Sequence, residues 1–152
     1  MQRTDDILSL WHFGVRAVRG DVAVARAIKS GLVPRPDRIV AVGKAAVAMA
    51  QPACDTWPDV SCLIVTKYGH AANAPTGAVV REAAHPVPDA ASLRAGHALQ
   101  DAVADCDPGT HLLMLVSGGA SALAEVPGDG LSLTDLMEST NAMLASGAPS
   151  PK

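Results

Sequence analysis

Two short stretches of this sequence combine glycine with groups suited to an anion. Ser117-Gly118-Gly119-Ala120-Ser121 follows the apolar run 111–116, and Gly43-Lys44 follows the β-branched run 38–42. At a strand end, side-chain-free residues let backbone N–H groups approach a negative charge, and the dipole of a following helix favours it. Phosphate is the natural guest of such a turn. A tight turn of purely structural role also favours glycine, so the 117–121 stretch by itself leaves the two readings balanced. Lys44 would add a mobile positive charge of the kind that stabilises a phosphoryl group, although a strand-end lysine is ordinarily just solvated.

Other chemistries fit less well. A Walker A loop needs a glycine five residues before the Gly-Lys pair and Ser or Thr after it, whereas this chain has Arg38 and Ala45. A dinucleotide fingerprint would read Gly43-x-Ala45-x-x-Ala48, with two glycines missing and no acid after the second apolar run at Thr66. Gly119-Ala120-Ser121 is half of a hydrolase nucleophile elbow, but Leu123 replaces its last glycine and no histidine follows His111. His70, His85 and His97 have no metal-ligand spacing, so no protein-held metal is expected. His70 and His85 each follow a predicted strand and could line one rim, or be plain loop histidines.

The elements that would position these residues follow from periodicity and punctuation. A helix capped by Thr4 carries Ile7, Leu8, Trp11, Val15 and Val18 and ends at Gly20; Asp21 caps a second, through Val22, Ala25 and Ile28 to Gly31. Pro34 and Pro36 then enforce an extended connection. Strands are predicted at 38–42, 62–66, 79–83 and 111–116, the last reading as a central strand covered on both faces. The Ala-rich stretch 45–51 is helical by propensity and should stop or kink at Pro52. Asp89 caps a long helix with a buried stripe of Leu93, Gly96, Leu99, Val103 and Cys106. A final helix begins near Ser132, with Asp135 three residues on and a face of Leu133, Leu136, Met137, Thr140, Met143 and Leu144. The order β, α, β, β, α, β, α predicts an α/β fold: an open, mostly parallel, doubly wound Rossmann-like sheet with helices on both faces.

Composition bounds the function class. The 152 residues suit one domain, and a core with one Phe, one Tyr and two Trp must be built from Ala, Val, Leu and Ile. A net charge of -3 with scattered arginines gives no basic stripe for a nucleic acid. Cys54, Cys62 and Cys106 are odd in number and lack CxxC spacing, which predicts free, mostly buried thiols. The start has two early acids and no signal-peptide pattern, and no apolar run approaches the roughly 20 residues that span a bilayer. A cytoplasmic protein without membrane or nucleic-acid partners is expected.

Taken together, Val42-Gly-Lys-Ala-Ala46, Lys67-Tyr-Gly-His70, His85-Pro-Val-Pro-Asp89 and Ser117-Gly-Gly-Ala-Ser-Ala-Leu123 resemble, in sequence and in order, the motifs of the glycerate 2-kinase family. The resemblance runs from the first helix to residue 147. It implies transfer of the γ-phosphoryl of ATP to the 2-hydroxyl of D-glycerate, with Mg²⁺ as the divalent metal, in a cleft between two domains. Lys44 would stabilise the transferred phosphoryl group. Gly43, Ser117, Gly118, Gly119 and Ser121 would bind phosphate, and His70, His85 and Asp89 would lie on the substrate rim. Residues 1–147 would be the amino-terminal part of the kinase-like domain and 148–152 a Pro-containing tail, with the rest of the sheet and the second domain missing. The chain alone is then expected to be inactive, and to associate with itself or with a separate carboxyl-terminal chain. The alternatives are a non-catalytic, anion-binding remnant and, further off, a nicotinamide-dependent oxidoreductase acting on hydroxypyruvate.

Overall fold

Pro34 and Pro36 keep the 31–37 segment out of helix and deliver the chain in extended form to the first strand. The computed structural model describes residues 2–147, so the expected tail at 148–152 lies outside the described residues. The elements are α1 Gln2–Ala17, α2 Gly20–Lys29, β1 Arg38–Val42, α3 Ala46–Thr56, β2 Ser61–Lys67, β3 Val79–Ala83, α4 Ala90–Ala104, β4 Leu112–Val116, α5 Ala120–Leu123 and α6 Leu133–Ser146. The strands form one sheet in the order β3-β2-β1-β4. Every pairing is parallel, as the run of short apolar strands predicts.

Helices cover both faces. On one, Ile39, Ala41, Ile64 and Leu115 pack against Ala46, Ala50 and Ala53 of α3, with Val24 of α2 and Trp57 closing the cluster. On the other, Val42, Val65 and Ala83 meet Ala91 and Ala95 of α4 and Leu123 of α5. Alanine lets each helix approach the sheet closely while branched strand residues fill the layer. Ile39 and Ile64 are fully buried, and each contributes about 1.5–3 kcal/mol by leaving water. The three cysteines are free, and burial, with Cys54 beside it, pushes the Cys62 thiol up to about 12.

Several expectations are corrected. The 111–116 run is not central: β2 and β1 are the interior strands, and β4 pairs only with β1 among the described residues. Met114 and Val116 are therefore exposed despite their apolarity. On α4 the buried residues are Ala91, Ser92, Ala95 and Gly96, while Val103 is exposed; at Gly96 the Glu125 backbone and the Val126 side chain press so close that a Cβ would overlap the Glu125 carbonyl. The apolar face of α6 buries no residue, and the apolar residues of α1 are exposed. Of the two outcomes expected at Pro52, the stop is not found: α3 continues through it to Thr56. Asp21 lies in the first turn of α2 and pairs with Arg19 instead of capping.

Candidate functional site at the carboxyl ends of the strands

The winding of the sheet reverses at one place. From β1 the chain moves through α3 to β2 and then β3 on one side, and α4 carries it back to β4 on the other side of β1. Connections leaving the carboxyl ends of β1 and β4 diverge, and such a switch point is where open α/β sheets leave a crevice for ligands. Both glycine-bearing turns stand there. The Ser117 N–H donates to the Val42 carbonyl at 2.9 Å, the Lys44 N–H to the Gly118 carbonyl at 3.0 Å, and the Gly43 N–H to the Val65 carbonyl at 3.0 Å.

Each residue in the crevice has a distinct local reason. Gly43 has φ 119°, and a Cβ on it would overlap the Ser117 hydroxyl and carbonyl, so glycine is needed to bring the two turns together. Ser117 is committed to the same junction: its Oγ accepts from the Ala45 N–H at 3.0 Å and donates to the Val42 carbonyl at 3.4 Å. It clamps the two turns rather than presenting a free hydroxyl. Gly119 has φ 91°, and a Cβ there would lie 2.7 Å from the His85 ring and 3.4 Å from Lys44 Cγ. Gly118 differs from both. It is exposed, its φ is not positive, and a Cβ would meet only Lys44 Cε at 3.9 Å. Packing therefore does not require glycine at 118, whereas room for a ligand would. The helix after this turn, α5, has four residues, so the dipole expected to assist an anion is only one turn long. Ser121 lies on α5, exposed, and no hydrogen bond ties its side chain to the crevice.

Three basic groups gather here. Burial first, then Lys44 and Lys67, hold the His85 imidazole below its ordinary pKa, so it is mainly neutral at pH 7. Neither lysine has a carboxylate partner among the described residues. The carboxylates that could have served are occupied. Asp89 caps α4, its Oδ1 accepting from the Ala91 N–H at 2.9 Å and the Ser92 N–H at 3.0 Å, while its Oδ2 accepts from the Tyr68 hydroxyl at 2.7 Å. Burial pushes this carboxyl up, but the hydrogen bonds outweigh it and leave its pKa below the ordinary value. Glu82 Oε1 accepts from the His70 and Ala71 N–H groups at 3.1 and 3.3 Å. His70 is tied there by its backbone, its ring exposed, and no contact joins it to the Lys44 crevice.

The structure thus brings together Gly43, Lys44, His85, Ser117, Gly118 and Gly119. Asp89 supports this rim as a helix cap. His70 and Ser121 stand apart from it. Lys67 was missed as a site residue, although its place two residues past the core-facing Val65 was a usable signal. Among the described residues no group of three His, Cys, Asp or Glu side chains could hold a metal ion, and no helix is long and apolar enough to cross a membrane.

Comparison with known proteins agrees with this fold. Residues 6–150 match a family described as a domain of unknown function, DUF4147, and the chain belongs to that family. It is 38% identical over 112 residues to D-glycerate 2-kinase of Thermotoga maritima, covering 72% of this chain and 27% of that protein. It is 40% identical over 139 residues to an Agrobacterium vitis protein that carries a provisional hydroxypyruvate reductase name, covering 84% of this chain and 31% of that one. The crystal structure of glycerate kinase from Thermotoga maritima superposes with a TM-score of 0.77 at 35% identity, over 89% of this chain and 33% of that one. The chain spans about three tenths of the length of the relatives it matches. The resemblance to the glycerate 2-kinase family and the parallel, open α/β sheet are both borne out.

Proposed function

We propose that the β1–β4 crevice is the phosphoryl-handling wall of an ATP-dependent kinase that phosphorylates the 2-hydroxyl of D-glycerate. The observation that carries this reading is the convergence of Lys44, without a counter-ion among the described residues, on the side-chain-free Gly118 at the switch point of the sheet. Phosphoryl transfer needs positioning and charge stabilisation more than covalent chemistry, and these residues supply both. Lys44 meets charge on the transferred group. Gly118 leaves room for it, Gly43 and Ser117 lock the two turns together, and Gly119 admits the His85 ring. His85 faces the acceptor, and Asp89 fixes the segment that carries His85.

ATP fits this wall through its terminal phosphates. Mg²⁺ would neutralise charge on them, but the described residues offer no cluster to hold it. Residues 1–147 form one part of the kinase on this reading, and the acceptor, nucleotide and metal are aligned only when a second wall is present. Such alignment contributes several kcal/mol to the barrier reduction. The working compartment is the cytoplasm, in keeping with an ATP-using enzyme.

The test is a coupled ADP-release assay with D-glycerate, ATP and Mg²⁺. The 152-residue chain alone should be at least tenfold slower than a full-length relative, with activity recovered when the remaining portion of the Thermotoga maritima relative is fused to it. A fusion that binds ATP yet releases no glycerate-dependent ADP would overturn the kinase reading. The name of the Agrobacterium vitis relative favours a second reading, reduction of hydroxypyruvate by a nicotinamide cofactor. Against it, the Ala45 N–H already bonds Ser117 Oγ in the turn a pyrophosphate would use. NADH oxidation dependent on hydroxypyruvate in the same fusion would decide for it.

A further inference from the structure

Lys67 ends β2, and Lys44 stands in the turn just past the end of the neighbouring strand β1. Val42 and Val65 are paired in the β1–β2 register, and both point into the core cluster beneath α4 and α5. Two residues past Val65, still within β2, the pleat returns Lys67 to that face, whereas Lys44 follows Gly43, whose φ of 119° ends the pleat of β1, and its stem lies beside the Gly119 position. Lys67 is the last residue of β2, half-buried, and held in place by pairing with Ala83 and by the Tyr68 N–H donating to the Ala83 carbonyl at 3.2 Å. β1 and β2 are paired neighbours, so both lysines stand at the carboxyl-end rim of adjacent strands. The His85 ring, which contacts the Gly119 position beside Lys44, is within electrostatic reach of both. Neither ammonium has a carboxylate partner among the described residues. Two such cations at one rim call for a ligand with two anionic groups close together. A 2-hydroxy acid that is being phosphorylated has them, the carboxylate and the phosphoryl group being separated by one carbon and one oxygen.

We infer that Lys67 is the residue that holds the acceptor's carboxylate, so that Lys67 and Lys44 together select a 2-hydroxy carboxylate over a neutral polyol. Lys44 borders the open Gly118 and takes the phosphoryl end; Lys67, one strand over, takes the carboxylate. This assignment rests on the kinase reading for its phosphoryl half only. The carboxylate half is a binding claim that stands or falls separately.

The test follows the His85 ring by proton NMR, on the purified chain, while D-glycerate, glycerol or inorganic tripolyphosphate is added. An anion beside the imidazole raises its titration midpoint, a readout that a purely structural lysine would not move. D-glycerate should shift the midpoint upward in the wild type and glycerol should not. Lys67→Met should weaken the D-glycerate response at least tenfold while leaving the tripolyphosphate response within about twofold, and Lys44→Met should do the reverse. Lys67→Arg, which keeps the charge, should retain most of the D-glycerate response. A D-glycerate response absent in the wild type, or unchanged in Lys67→Met, overturns the inference, even if tripolyphosphate binding through Lys44 is intact. Loss of the tripolyphosphate response in the wild type, with the Lys67-dependent D-glycerate response present, would instead sink the phosphoryl reading and leave this one standing.

Discussion

Gly43 and Gly118 face each other across the same junction, yet replacing each with alanine should have opposite consequences. At Gly43 the backbone has φ 119°, and a Cβ would lie 2.7 Å from the Ser117 carbonyl carbon and closer still to its oxygens. An L-residue at positive φ costs about 1–2 kcal/mol, and overpacking against backbone that cannot rotate away costs about 1–3 kcal/mol more. Gly43→Ala should thus lose about 2–5 kcal/mol, a large part of the ~5–15 kcal/mol available to a domain. At Gly118 the backbone is unstrained and a Cβ finds only Lys44 Cε at 3.9 Å. Gly118→Ala should be neutral or gain about 0.4–1 kcal/mol through a less flexible unfolded chain. If the bare Gly118 exists for an anion, tripolyphosphate affinity should fall about tenfold, or ~1.4 kcal/mol. Urea unfolding measures the first quantity and titration calorimetry the second. A wild-type urea midpoint for Gly43→Ala would refute the account of the junction. Unchanged tripolyphosphate affinity in a folded Gly118→Ala would refute the account of the crevice.

The remaining expectations concern single side chains. Lys44→Met should weaken tripolyphosphate binding at least tenfold and change urea stability by no more than about 0.5 kcal/mol, because the side chain is exposed and unpaired; unfolding of this variant would make the lysine structural. Asp89→Ala removes an N-cap and the acceptor of the Tyr68 hydroxyl, and should lose about 1–2 kcal/mol at pH 7. Since the folded carboxyl titrates below its ordinary value near ~3.9, that contribution is complete above the unfolded pKa and lost as pH falls through the folded one. The gap between wild type and Asp89→Ala should accordingly close on acidification, and a gap still full at the acid end of the titration would show that charge plays no part. Thr66 is fully buried and its Oγ1 has no hydrogen-bond partner among the described residues. Thr66→Val should be neutral or stabilising by up to about 1 kcal/mol by urea unfolding, and a loss larger than that would mean the hydroxyl is satisfied after all.

The strands were readable because each is a short β-branched or apolar run bounded by Gly, Pro or Asp, and the caps of α4 and α6 were readable because Asp89 and Ser132 bond backbone locally. Strand order was not. Periodicity tells which side of a strand is apolar, but not which neighbour covers it, so the run ending at Val116 looked central while β2 and β1 hold the interior. The same limit explains Lys67. Read as a loop residue beyond a strand at 62–66, it had no defined direction. β2 in fact runs Ser61–Lys67, because the Ala83 pairing extends the ladder by one residue at this end. That single residue changes the chemistry available. Inside the ladder the pleat fixes the side chain to the face of Val65, which Val42 shares, at the rim where the Lys44 turn leaves β1. A cation of free orientation would be screened by water and contribute little. One aimed by the sheet at the crevice, beside a second unpaired lysine and a largely neutral imidazole, can discriminate between an acid and a neutral polyol. The selectivity argued for Lys67 therefore depends on strand length, which sequence patterning locates only to within a residue or two.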